Sequence, residues 1–205
     1  MRTAFPVAAA TLSVACARES LDGDCPPINE GELVVTELRG EQADRDDSLG
    51  EWIELLNTSD RDLNVGGLRL EMFPTDGGVP RFVVLRNEGL VVAPGEFVVL
   101  GQEDDTNLPD YVDYGFRITD KTPGFFAGAR LTVASCDEVI DEIVYSRLPD
   151  AGTWSLDGSL EPSAAANDDQ EAFCVDQTPP PPGIPATGDA PLGTPGEGNG
   201  PCVVP

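Results

Sequence analysis

Short hydrophobic runs rich in Val, Leu, Ile and Thr recur along this chain, each closed by a cluster of Gly, Pro or Asp, and no window sustains a 3.6-residue hydrophobic period. Long helices are therefore not expected, and strands this brief bury a core only when two sheets share one. Nine runs read as strands: residues 32–38, 51–57, 63–72, 81–85, 96–101, 111–116, 129–134, 139–145 and 153–156. Turn-forming stretches separate them, among them Asp76-Gly77-Gly78, Ala93-Pro94-Gly95 and Thr122-Pro123-Gly124. Ile53 and Leu55 alternate with Trp52 and Glu54, and Leu131 and Val133 with Thr132 and Ala134, so one face of these strands is expected to be buried. Many short alternating strands at this spacing predict an all-β, antiparallel sandwich with helices nearly absent. The pattern ends at Leu156. Residues 157–205 are rich in Gly, Pro, Ala and Asp, with four consecutive prolines at 179–182, and are expected to be extended or irregular.

The first residues, MRTAFPVAAATLSVAC, carry one positive charge at Arg2, an apolar run from Ala4 to Leu12 and small residues before Cys16. That is the pattern of a signal peptide over residues 1–15, its apolar run too short for the roughly 20 residues that span a hydrocarbon core. Ser13-Val14-Ala15-Cys16 resembles the bacterial lipobox, which implies cleavage before Cys16 and lipid attachment to it; an ordinary signal, with Cys16 left as a disulfide partner, is the other reading. Parity favours lipid, because five cysteines in an exported chain leave one unpaired, and removing Cys16 leaves four. Those four, Cys25, Cys136, Cys174 and Cys202, imply disulfides and an oxidising compartment. Three connectivities are open; we expect Cys136 with Cys174 inside the domain and Cys25 with Cys202 where the chain enters and leaves it. Ala17 is not the Asp that retains lipoproteins at the inner membrane, so the lipoprotein resemblance implies the outer membrane of a Gram-negative bacterium.

Twelve Lys and Arg against 37 Asp and Glu give a net charge of −25, which repels nucleic acid and anionic lipid. Histidine is absent, which removes Ser/His/Asp and Cys/His nucleophile systems and every His-ligated metal site. No Ser lies in a Gly-x-Ser-x-Gly elbow, no Gly-rich loop runs into Lys-Ser or Lys-Thr, and with so many acids the choice of any carboxylate pair is uninformative. The chain is read as non-enzymatic, with no cofactor. Asp44-Arg45-Asp46-Asp47-Ser48, followed by Gly50-Glu51, has oxygen ligands of the kind Ca²⁺ takes, but not the spacing of an EF-hand, and reads better as a solvated acidic loop. Glu103-Asp104-Asp105 and Asp168-Asp169 are weaker still. Trp52 and Glu54 are the sharpest binding candidates, an aromatic beside a carboxylate, although packing is the favoured role for a strand tryptophan.

Gly50-Glu51-Trp52-Ile53-Glu54-Leu55, then Asn57, Asp62-Leu63 and Gly66-Gly67-Leu68, resembles the lamin-tail domain. Further pieces follow in the family's order: Ala93-Pro94-Gly95-Glu96, Val139-Ile140-Asp141 leading to Tyr145, Thr153-Trp154-Ser155-Leu156 running to Asn167-Asp168-Asp169 and Cys174, and Gly193-Thr194-Pro195-Gly196 with Asn199. Phe173 stands where members often carry Trp, and a proline-rich insertion follows Cys174. The resemblance implies an immunoglobulin-like antiparallel sandwich over residues 31–199, irregular from 157, preceded by a tether at 16–30 and followed by a tail at 200–205. It implies a structural or protein-interaction module held at the cell envelope through the lipid anchor, with a protein partner and no nucleic acid. A calcium-dependent carbohydrate-binding or adhesion module, and an accessory subunit of a secreted hydrolase, are the alternatives.

Overall fold

The structure, a computed structural model, describes residues 25–43, 50–103, 108–116, 124–180, 182–183, 187 and 190–203. Cys16, the signal segment and the Asp44–Asp47 loop lie outside the described residues. In chain order the strands are β1 (Leu33–Arg39), β2 (Trp52–Asn57), β3 (Leu63–Asn64), β4 (Arg69–Pro74), β5 (Arg81–Val84), β6 (Val91–Val92), β7 (Phe97–Gly101), β8 (Tyr114–Gly115), β9 (Ala129–Ser135), β10 (Glu138–Tyr145), β11 (Thr153–Leu156) and β12 (Phe173–Asp176). One helical turn, α1 (Ala164–Asn167), follows Ser163, whose hydroxyl caps it by accepting from Ala166 N. A six-stranded sheet in the order β12-β11-β1-β2-β7-β8 and a four-stranded sheet in the order β10-β9-β4-β5 stack as a sandwich, with β3 and β6 forming a two-stranded ribbon. All pairings are antiparallel except the short β7–β8 contact.

The core lies between the sheets, where Leu33, Val35, Ile53, Leu55, Val98 and Leu100 of the larger sheet meet Leu70, Met72, Leu131, Val133 and Ile143 of the smaller. Each fully buried side chain of this kind contributes about 1.5–3 kcal/mol. The expected 63–72 strand is broken in two because Gly67 adopts φ +93°, and a Cβ on Gly66 would lie 2.6 Å from the Asn87 carbonyl. At the next turn Gly95 takes φ +74°, the left-handed conformation that Pro94-Gly95 suggests.

The structure corrects three expectations. Beyond Leu156 the chain is not wholly irregular: Phe173–Asp176 pairs with β11 as an edge strand, its Phe173 ring stacked 3.9 Å from Trp154. The strand signal there is four residues long and becomes decisive only beside β11. Second, β2 is buried on both faces: Trp52 is packed, as favoured for a strand tryptophan, and Glu54 is as inaccessible as Ile53 and Leu55. Third, the disulfides join Cys25 to Cys136 and Cys174 to Cys202, with Cα separations of 5.7 and 5.8 Å, rather than the pairing expected. The reason is topological. The β9–β10 turn carries Cys136 to the entering chain, where Ser135 Oγ donates to the Pro26 carbonyl at 2.7 Å, while Cys174 sits on β12, beside the returning end. Disulfides place the folded chain in an oxidising compartment. Among the described residues no helix is long and apolar enough to cross a membrane.

Candidate functional site

The outer face of the larger sheet carries the residues singled out above. Trp52 is fully buried against Val99 and Val112, with the Tyr111 ring 6.3 Å away, so residues 108–113 roof the tryptophan. It offers no surface to a sugar or peptide. Glu54 lies beside it on the ladder, opposite Glu37 of β1, at the point where a bulge at Thr36 brings Glu37 to this face.

The final segment closes over this glutamate pair. Glu37 accepts from Ser155 Oγ at 2.8 Å and Thr194 N at 3.2 Å, and also from Thr153 Oγ1. Glu54 accepts from Thr36 Oγ1 and Gly196 N, both at 2.7 Å. Asn199 Nδ2 donates to the carbonyls of Thr36 and Leu156 at 2.9 and 3.0 Å, and its Oδ1 accepts from Thr194 Oγ1. Gly193-Thr194-Pro195-Gly196 and Asn199 are thus a clasp, fastened to carboxylates on β1 and β2. Burial pushes both glutamates above the ordinary carboxylate range, Glu54 well above it, and the proximity of the two charges raises Glu54 further.

The other buried acids do similar work. Asp141, placed inward by a bulge in β10, crosses between sheets to accept from Val35 N and from Asn167 Nδ2, each at 2.7 Å. Burial raises it to about 6. Glu51 accepts from Phe125 N at 2.6 Å and Gln102 Nε2 at 2.8 Å, and burial pushes it up to about 7. Asp113 accepts from Val99 N at 2.8 Å and is also raised by burial. Each carboxylate thus receives a backbone N–H from a neighbouring segment. Such amides need an acceptor once taken out of water. The acids are joints in the fold. Of the weaker acidic motifs, Glu103 Oε1 accepts from Gly50 N at 2.6 Å and Asp169 caps a 3-10 turn through Glu171 N, while Asp104 and Asp105 lie outside the described residues.

Large apolar side chains remain open to solvent on three edge strands of the two sandwich sheets: Val139 and Val144 on β10, Val175 on β12 and Phe82 on β5. Phe82 on β5 is the only exposed aromatic among the described residues, at 62% accessibility, and Val79 just before it reaches 84%. Arg81 turns inward instead, its guanidinium 3.8 Å from the Phe126 ring centre and hydrogen-bonded to the Gly124 carbonyl. In sequence, residues 81–85 are a short strand like the others; that β5 ends a sheet depends on pairings with distant strands. Searched against models of known protein families and against curated proteins, the chain matches none.

Proposed function

We propose that this chain is a non-enzymatic extracytoplasmic module of the lamin-tail type, immunoglobulin-like in topology, anchored by lipid on Cys16 to the outer membrane of a Gram-negative bacterium, and that it works by binding protein. The observation that carries the reading is the β5 edge: an unpaired strand at the end of a sheet, bearing an exposed phenylalanine. Edge strands take up a further strand through backbone hydrogen bonds and are otherwise blunted, covered or charged. The use of the buried carboxylates as acceptors for backbone amides supports a scaffold rather than a reaction centre. The ordered motifs, Glu51-Trp52-Ile53-Glu54-Leu55 on β2 and Gly193-Thr194-Pro195-Gly196 in the clasp, support the family assignment: Trp52 is packed under residues 108–113, Glu54 accepts from the clasp, and Gly193 and Gly196 take φ +114° and +79°.

A photo-crosslinker placed at position 82 of the full chain, in the native envelope, tests the reading together with intact mass. A mature chain beginning at acylated Cys16, with adducts at position 82 and none from a probe at exposed Leu160, is the expected result. Absence of any protein adduct at position 82 overturns the interaction reading; an unacylated chain overturns the anchor.

A further inference from the structure

The hydrogen-bonding groups along β5 are arranged to fit themselves. Leu85 N donates to the Leu68 carbonyl at 2.9 Å, so residues of its parity, Val83 and Arg81, face β4. Successive residues of a strand alternate edges, which turns the N–H and C=O groups of Phe82 and Val84 outward. On either side this free edge stops. Pro80 has no N–H to offer, and Arg86 N already donates to Tyr114 Oη at 3.0 Å.

We propose that this edge pairs with the same edge of a second copy, antiparallel about a two-fold axis through Val83, so that two four-stranded sheets become one continuous sheet. The inference rests on the interaction reading above and names its partner. In that register Phe82 stands opposite Val84 of the other copy and Val84 opposite its Phe82, so every outward group of these residues is paired. Pro80 falls opposite the second copy's Arg86: the residue without a donor meets the residue whose donor is committed. Shifting the register loses that match.

Side chains agree with the backbone. Phe82 and Val84 share the outer face, so the axis gathers two phenylalanines and two valines into one apolar cluster, the kind of cross-strand contact that stabilises sheets. Arg81 packs inward on Phe126 while Arg86 shares the parity of Phe82, so Arg81 of one copy and the neighbouring Arg86 of the other lie on opposite faces. Charge makes the same point. In a chain with 37 acids and a net charge of −25, two copies repel almost wherever they touch, yet residues 77–87 contain no Asp or Glu. The apposed stretch, 79–87 on each copy, falls within that window. A joint of this length buries less than the ~1,600 Å² of a standard interface, so pairing depends on copies concentrated at one surface.

Disulfide trapping in the full chain, in its native envelope under mild oxidant, tests this. The axis places the two Val83 Cβ atoms on directly opposed residues, roughly 5 Å apart. Val83→Cys is expected to give a covalent dimer in at least tenfold greater yield than Val79→Cys. Val79 is far more exposed, but its two copies would be separated by about 26 Å of strand at ~3.3 Å per residue. Adding Phe82→Glu to Val83→Cys, a change at an exposed position, should cut the dimer about tenfold while both native disulfides still form. Equal yields from Val83→Cys and Val79→Cys overturn the pairing. If that happens while position 82 crosslinks to a different protein, the second copy is wrong and the interaction reading stands; with neither signal, both fall.

Discussion

Glu37 and Glu54 stand opposite one another on β1 and β2, both fully buried, and the groups that hydrogen bond to them are hydroxyls and backbone amides. Two like charges in a dry interior favour a proton held on the pair, and the same carboxylates fasten the last segment to the sheet.

A dependence of stability on pH follows. Glu51 is raised from 4.5 to about 7 and Asp141 from 3.8 to about 6, with Glu37 and Glu54 raised in the same direction. The folded chain thus binds these protons more tightly than the unfolded chain, so their contribution is complete in acid, below the unfolded values. It is lost as pH rises, through 3.8 to about 6 for Asp141 and 4.5 to about 7 for Glu51. Glu32, lowered by its bond to Arg61, acts oppositely, and its contribution is lost only as pH falls below 4.5. Thermal melts should show Tm falling from pH 4.5 to 7.5, with Glu51 alone accounting for on the order of 3 kcal/mol. A Tm that rises over this interval would contradict the assignment.

Glu54→Gln should flatten part of that slope. The amide can present its oxygen to Gly196 N and its NH₂ to Thr36 Oγ1, a hydroxyl able to accept, so the clasp keeps its bonds without a buried charge. Melts at pH 8 should place the variant at or above the parent; Glu54→Ala, which leaves Gly196 N unpaired, should lose about 1–3 kcal/mol.

Asp141→Ala removes the acceptor of two buried donors, Val35 N and Asn167 Nδ2, in one step. Chemical denaturation should show a loss of about 2–4 kcal/mol, larger than for Asp141→Asn, whose carbonyl oxygen can take the place of Oδ2, the one oxygen on which both donors converge.

The disulfides differ in what they close. Cys25–Cys136 spans 111 residues and Cys174–Cys202 spans 28, so chain entropy predicts losses of about 5 and about 3.5 kcal/mol on removal. Paired Cys→Ser variants in urea should rank in that order, and non-reduced peptide mapping should recover these two linkages.

Both tryptophans are inside, Trp52 under residues 108–113 and Trp154 between Tyr145 and Phe173. Native fluorescence should be blue-shifted and poorly quenched by acrylamide, becoming quenchable on unfolding. Trp154→Ala should cost about 3–5 kcal/mol.

The architecture was largely legible in the chain. Period-two alternation in β2 and β9 and the Pro94-Gly95 turn are local properties, set by backbone sterics and side-chain direction within a few residues. They suffice to identify strands and to predict a sandwich. Packing of Trp52 was expected from its residue type, but the burial of Glu54 was not legible, because a strand covered on its outer face by irregular chain has the same alternation as one facing water. The clasp motif could be quoted from the sequence, but its role could not: Thr194 meets Glu37 across a separation of 157 residues.

Composition by itself determined the acidic charge, the lack of histidine chemistry and the cysteine supply, since these need no geometry. Only the tertiary structure decided which cysteines meet, which carboxylates are buried and which strand ends a sheet. Each is a contact between distant parts of the chain, fixed by how two sheets stack and where the last segment returns. β5 looks like any other short strand in the sequence. It is an edge because β4 pairs on one side with β9 and on the other with β5, and no described strand follows.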